Sequence, residues 1–307
     1  MVKRVDIYKM WTFGFGSNMN VGNVESKKGH KVIDYVAGSV EGYKMCFNLS
    51  GIPKVEPAFA NAVEGTTNDS IHGVAIKLSE EDMAKLDDQE RGYEKTKVTV
   101  KGYDGRKVEG CSMYIKRHGN FLPTDLQMPS PRYLNLLIDG AVESGLDPQY
   151  INRLRCTNTY TANENTILRR KTLPAPESLS PISVIDLFLT KADSLGTNFA
   201  TDSPQAGEFA HVAVFGYIFK MPRNRCYFNS HLGRDITSRS LRHFRGLPLD
   251  KNDDMGRPPY PELDLIKPEE KEYLYNWLDH YIEKGDVVGY LVEYLKQCKV
   301  KNSESKV

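Results

Sequence analysis

Four short stretches hold the side chains best suited to chemistry. "FGFGSNMN" (Phe13–Asn20) alternates two aromatics with two glycines and then presents a Ser-Asn pair. A glycine turn after a strand lets backbone N–H groups converge on an anion or a carbonyl oxygen; it serves equally as a plain tight turn. It lacks a following Lys-Ser/Thr and the GxGxxG spacing, so neither common phosphate loop fits. "LDDQERGYEK" (Leu86–Lys95) gathers Asp87, Asp88 and Glu90 ahead of Gly92 and Tyr93. Three acids so close cannot all point inward. One that is buried gains a raised pKa and can act as a general base; otherwise the stretch is a solvated helix end. "CSMYIK" and "PSPRYLNLL" place Tyr114 and Tyr133 beside apolar neighbours. A lone tyrosine there is ordinary core; several phenols converging on one pocket would be a site.

The elements that must position these residues follow from local pattern. "WTFGF" (Trp11–Phe15) reads as a buried strand running into the Gly-Ser-Asn loop. "VIDYVAGSV", "YKMCFNLS", "FANAVEG" and "IHGVAIKL" are further strands, the last two parted by a turn at "TTNDS". "SEEDMAKLDDQE" begins a helix at Ser79 with acids in its first turn, and Met83, Leu86 and Ala84 are its core-facing candidates. "KTKVTVKGYDGRKVEGCSMYIK" alternates around "YDGR", a hairpin signal. "SPRYLNLLIDGAVESGL" is an amphipathic helix with Pro131 in its first turn and Gly145 at its end, and "DPQYINRLRC" starts another. Strands come first and helices later, which predicts an α+β fold and not a doubly wound sheet.

Composition sets the outer bounds. The chain has 307 residues, 40% hydrophobic and 26% charged, with a formal net charge of +1. That is enough material for one large or two ordinary cores, and no global field calls for nucleic acid or an acidic membrane. The five cysteines are widely spaced with no Cys-x-x-Cys, the pattern of reduced thiols in an intracellular protein with no disulfide framework and no zinc site. No long apolar run predicts a membrane span, and "MVKRVDIYKMW" lacks the apolar core of a secretory signal. A cytoplasmic location is the expectation.

The order of the pieces is more specific than any one of them. A Gly-Ser-Asn loop, then "GVAIKLSEEDMAKLDDQERGY", "SMYIK" and "PSPRYLNLLIDGAVESGLDPQYINRL" resembles the γ-glutamylcyclotransferase family over roughly residues 11–160. Members typically carry a Tyr-Gly-Ser-Asn-Leu loop and an "LDxxEG" stretch. The resemblance implies a small mixed β-barrel flanked by helices. It implies that Gly16, Ser17, Asn18 and Met19 hold a glutamyl group through backbone donors, that Glu90 is the catalytic acid/base, and that Tyr93, Tyr114 and Tyr133 line the pocket. Phe15 stands where the family has its loop tyrosine, and Arg91 follows the glutamate where the family has glycine. The implied reaction converts a γ-glutamyl amide to 5-oxoproline and a free amine or amino acid, with no metal, nucleotide or other cofactor. The same fold could instead be catalytically silent and bind a partner through the C-terminal region.

The expected organisation is a catalytic domain over 8–172, a linker over 173–208 with room for a short helix, an accessory region over 209–298 and a disordered tail over 299–307. The linker reading rests on three prolines in "LPAPESLSP". In the accessory region "HVAVFGYIF" reads as a strand, "KPEEKEYLYNWLDHYI" as a helix with a Leu274/Trp277/Leu278/Tyr281 stripe, and "DVVGYLVEYLKQ" as a last helix, so this region is expected to be mostly helical. A basic run, Lys220–Gly246, precedes an acidic one, Leu247–Glu272. The run could bind nucleic acid or a phosphorylated ligand; pairing with its acidic neighbour in a packed accessory domain is the favoured reading. His211, His231, His243 and His280 have no metal-ligand spacing. Capping the site, dimerising and setting substrate size all remain open for this region. The expected partner is a small γ-glutamyl substrate, with no membrane and no nucleic acid, and a homodimer is allowed.

Overall fold

The computed structural model describes residues 9–26, 29–195, 208–226, 228–248 and 265–295. The expected tail 299–307, residues 1–8, residues 196–207 of the expected linker, Tyr227 and Cys298 lie outside the described residues. The chain divides into two compact units, Met1–Thr161 and Ala162–Val307.

Among the described residues unit 1 has seven strands: β1 (Lys9–Gly14), β2 (Asp34–Glu41), β3 (Tyr43–Ile52), β4 (Glu56–Glu64), β5 (Ser70–Ser79), β6 (Glu94–Gly102) and β7 (Lys107–Ile115). Five close a barrel in the order β1-β5-β2-β6-β7, while β3 and β4 pair apart as a two-stranded sheet. The barrel is mixed because β1 runs antiparallel to β5 but parallel to β7, through Thr12–Ser112 and Phe13–Met113. β5 shows how alternation builds two cores at once. Ile71 and Ala75 join Phe13, Val36, Val100 and Met113 in one cluster, while Val74, Ile76 and Leu78 join a second cluster with the helices.

Three helices carry that second core beside the short α1 (Val21–Ser26). α2 (Glu80–Gln89) starts where the Ser79 hydroxyl accepts the Asp82 N–H at 3.1 Å, with three acids against the positive end of its dipole. Met83 and Leu86 are buried, but Ala84 is exposed, because it lies off the i, i+3 stripe that they define. α3 (Pro131–Glu143) is capped by Ser130, and α4 (Pro148–Arg155) by Asp147. Leu134, Leu137, Ile151 and Leu154 form their core faces.

Unit 2 contains α5 (Glu164–Lys171), β8 (Pro181–Ile182), α6 (Val184–Leu195), β9 (Phe209–Val214), β10 (Tyr217–Pro222), β11 (Arg234–Asp235), α7 (Thr237–Phe244), α8 (Pro268–Ile282) and β12 (Asp286–Leu291). Beside the helices stands a five-stranded sheet in the order β11-β9-β10-β12-β8. Two elements differ from the sequence reading. "HVAVFGYIF" is a hairpin whose two-residue turn, Phe215-Gly216, has φ of 53° and 81°; phenylalanine is an uncommon residue at such a position, which hid the turn. "DVVGYL" is strand β12 and not helix, and among the described residues helix follows over 292–295. Short apolar runs are ambiguous in period, and here Val287, Val288 and Tyr290 suit a strand paired with β10. The proline-rich segment supplies β8, parallel to β12, and α6 follows with Leu187 buried. Along α8 the expected stripe is buried, and so are Tyr273, Asn276, Asp279 and His280. Among the described residues no helix is long and apolar enough to cross a membrane.

Candidate active site

The Gly-Ser-Asn stretch forms a single 3-10 turn, Ser17–Met19, closed by the Met19 N–H on the Gly16 carbonyl at 2.9 Å. Gly14 is required by packing: a Cβ there would lie 2.6 Å from the Asn18 carbonyl oxygen. Gly16 is different. A Cβ there would lie 3.6 Å from the Tyr133 hydroxyl, so Gly16 leaves open the space in front of that phenol. The Met19 side chain is fully buried in the helical core and its carbonyl accepts the Ser144 hydroxyl at 2.9 Å. The Met19 N–H, expected to face a ligand, is thus the bond that closes the turn, and Ser17, at the first position of the turn, has a donor with no partner inside it. Phe15 lies in the barrel core cluster, 7% exposed, and offers no phenol.

The second wall is the end of α2. Glu90 is its C-cap, half-buried, and the Asn18 side-chain amide donates to its Oε1 at 3.0 Å. One contact thus joins the first loop to the acid 72 residues later. The Tyr93 N–H bonds the Glu90 carbonyl at 3.1 Å with Gly92 at φ 92°, the pattern of a type II turn, in which only glycine is comfortable at the third position. Arg91 points out and pairs with Asp88 at 2.9 Å. The three acids therefore divide: Asp88 to solvent, Glu90 to Asn18, and Asp87 to Tyr114 and Lys95. Burial works against the Asp87 carboxylate, yet the Lys95 ammonium and the Tyr114 hydroxyl outweigh it and hold its pKa below the ordinary range. Asp87 is an engaged anion and a poor base.

The tyrosines converge. Burial raises the Tyr93 pKa, and the Glu90 charge adds to it. The Tyr114 pKa also rises, through burial, the Asp87 hydrogen bond and, more weakly, the Glu90 charge. Tyr133 is raised chiefly by burial, with Tyr93 a lesser contributor. All three remain neutral donors near neutral pH. Tyr133 is fixed by packing edge-on against Phe59 and Phe47, and its hydroxyl accepts the Ala60 N–H at 3.3 Å. Tyr93 is 39% exposed and forms the open side.

Sequence reading missed the residues that hold this frame. Glu56, 2% exposed, pairs with Arg132 and accepts the Ser130 hydroxyl at 2.5 Å, so it anchors the start of α3 just before Tyr133. Asn61 bonds both backbone groups of Lys116 at 2.9 Å, and the Lys116 ammonium reaches the Gly92 carbonyl at 2.5 Å. Asn20 bonds Glu143 and caps α1 through the Asn23 N–H at 2.8 Å. A lone glutamate or asparagine inside an apolar strand is the signal that could have found the first two. Among the described residues no group of three or more His, Cys, Asp or Glu could hold a metal ion.

The family match falls on this unit. Residues 70–154 match the model of the AIG2-like family, the stretch that runs from β5 through α2 and Glu90 to α4. The matched stretch lies within unit 1, and unit 2 lies outside it. Among curated relatives, the γ-glutamyl cyclotransferase gliK of Claviceps purpurea is 29% identical over 126 residues, 38% of this chain and 56% of that protein. The γ-glutamyl cyclotransferase gliK of Aspergillus fumigatus is 27% identical over 157 residues, 44% of this chain and 57% of that protein. This chain thus spans little more than half the length of either relative. A solved γ-glutamyl cyclotransferase aligns at 21% identity with a TM-score of 0.43, covering 51% of this chain and 93% of that one.

Proposed function

We propose that unit 1 is a γ-glutamylcyclotransferase that converts a γ-glutamyl amide or dipeptide to 5-oxoproline and a free amine or amino acid, with Glu90 as its acid/base. The observation that carries this is the Asn18–Glu90 contact, which places the acid against the glycine turn, beside three neutral phenols. The reading is also supported by the names of the relatives.

The reaction needs no nucleophile from the protein. The substrate α-ammonium gives a proton to the Glu90 carboxylate, and the freed amine attacks the substrate's own γ-carbonyl. A C–N bond forms, the carbonyl becomes a tetrahedral oxyanion, and the ring is five-membered. Protonated Glu90 then delivers its proton to the departing nitrogen; the old amide bond breaks and the carbonyl reforms. The ring nitrogen loses its second proton to leave the lactam. The wall in front of Gly16 and Tyr133 holds the glutamyl chain bent for closure, an effect of orientation. The Ser17 N–H and the hydroxyls of Tyr93 and Tyr133 are the donors available to the oxyanion and to the substrate carboxylate.

The test is 5-oxoproline release from a γ-glutamyl dipeptide, glutathione and a γ-glutamylamine, by the native chain and by Glu90→Gln. Release that Glu90→Gln abolishes supports the reading, and the preferred substrate names the leaving group. A folded native chain that releases 5-oxoproline from none of the three overturns it.

A further inference from the structure

Unit 2 contains a cleft of about 420 Å³ between the end of α5, the β9–β10 turn, α8 and β12. That is the size of a small-molecule site. Its walls are aromatic: Phe215 and Tyr217 from the turn, Tyr275 from α8 and Tyr290 from β12. Phe215 and Tyr275 lie with ring centroids 5.1 Å apart, and Tyr217 meets Tyr290 edge-on at 5.0 Å. The charged residues of the lining are Arg170, Lys171 and Lys271, with no carboxylate among them.

The three cations differ in commitment. Arg170 stacks on Tyr275 at 4.3 Å and is neutralised behind the cleft by Asp279, with Glu272 at 3.7 Å. The ammonium groups of Lys171 and Lys271 have no ion pair or hydrogen bond among the described residues. Glu177 acts on Tyr217 from outside the lining. Two unspent ammonium groups therefore stand at an aromatic cleft. The Tyr275 hydroxyl likewise has no hydrogen-bond partner among the described residues.

The cleft is also built rigidly. Phe215 is held at φ 53°, a conformation a bulky residue keeps only when its surroundings enforce it. Here the Thr237 hydroxyl accepts the Phe215 N–H at 3.0 Å and itself donates to buried Asp235 at 2.6 Å. The Leu291 N–H bonds the Gly216 carbonyl at 2.8 Å, and a Cβ on Gly216 would strike the Tyr290 ring at 2.6 Å. Strain enforced from several sides clusters at ligand clamps.

We propose that this cleft binds a small anion with a flat aromatic body, the ring laid against the aromatic wall of Phe215 and Tyr275 and the anionic group at Lys171 and Lys271. The inference is independent of the chemistry assigned to unit 1.

The test is calorimetric titration of the full chain with 1-naphthoate, with neutral 1-naphthamide and with inorganic phosphate. Saturable naphthoate binding is expected, with naphthamide and phosphate each about tenfold weaker or worse. Lys171→Glu with Lys271→Glu should weaken naphthoate about tenfold and leave naphthamide unchanged. These lysines break no native pair, so the double variant tests the site without unfolding it. Tyr275→Phe should keep naphthoate binding, since the ring remains, whereas Tyr275→Ala should weaken both naphthalenes. Equal binding of naphthoate and naphthamide, indifference to the lysine changes, or no saturation by naphthoate in the millimolar range would each overturn the proposal.

Discussion

Glu90 in unit 1 sits half-buried on a turn, in contact with the neutral Asn18 amide and bordered by phenols. In unit 2 Asp279 is sealed inside against Arg170 at 2.5 Å, and Asp235 is covered by the hydroxyls of Thr237 and Tyr294 at 2.6 Å each. A carboxylate that must exchange protons needs solvent or substrate on one side and few fixed donors. One that locks a fold needs the reverse, because a buried charge is tolerable only when it is paired. The difference extends to histidine. His231 is buried in an aromatic nest with Trp277 and Tyr281, and burial, with Arg239, His280 and Arg234 adding to it, pushes its pKa down to about 3. These acids and this histidine of unit 2 thus serve packing, whereas Glu90 in unit 1 is only half-buried.

The sharpest way to break this contrast is to remove one acid from each side. Glu90→Gln should cost about 10²–10⁴ in the rate of 5-oxoproline release if its task is proton transfer. Thermal unfolding should barely move, since the glutamine can still meet Asn18. A large loss of stability would make Glu90 a structural acid and erase the distinction.

Asp279→Ala should do the opposite. It strands a guanidinium that is 14% exposed, and breaking such a buried pair costs about 3–5 kcal/mol. Chemical unfolding would show it as a lowered midpoint for unit 2. The swap Arg170→Met with Asp279→Leu should recover most of the loss, because the desolvation of both charges disappears together.

Acid titration gives the next effect. In the unfolded chain a histidine takes up its proton near pH 6.5. Folded His231 stays neutral until about pH 3, so the unfolded state binds more protons between those values. Stability is therefore complete above pH 6.5 and falls as pH drops, by up to about 1.4 kcal/mol for each pH unit. Trp277, 5.1 Å from His231, reports the transition in a Trp11→Phe background. His231→Gln should flatten the slope between pH 6.5 and 5; an unchanged slope would place the acid sensitivity elsewhere.

Much of this frame was legible where the signal was local. Ser79, Ser130 and Asp147 mark helix starts because a cap acts within three residues, and "YDGR" marks a hairpin because a turn is four residues long. The reach from Asn18 to Glu90 spans 72 residues and no pattern of spacing reveals it; the family resemblance supplied both residues, and the fold supplied the contact. Glu56 and Asn61 were invisible as site residues because each touches backbone or cap groups far along the chain. In unit 2 the basic run reads as a charged surface, yet Arg245 pairs with Glu270 of the acidic run at 2.7 Å, and Arg234 is buried. Charge counting sees sign and number; it does not see which side chains the fold turns inward.

The smallest effect tests whether the half-open acid of unit 1 depends on scaffold at all. Asn61 grips the backbone of Lys116, and the Lys116 ammonium holds the Gly92 carbonyl in the turn between Glu90 and Tyr93. Lys116 is a positioning residue, remote from the reacting atoms by this reading. Lys116→Ala frees one side of the turn and should lower kcat by about threefold to tenfold, far less than loss of an acid/base group. KM should change little if the glutamyl wall at Gly16 and Tyr133 stays in place. The exposed ammonium contributes little to folding, so stability should stay within about 1 kcal/mol. Lys116→Arg, which can still reach a carbonyl, should restore most of the rate. If Lys116→Ala were as damaging as Glu90→Gln, the ammonium itself would be acting on the substrate. The contrast between the units would then rest on a cation in unit 1 as well as an acid.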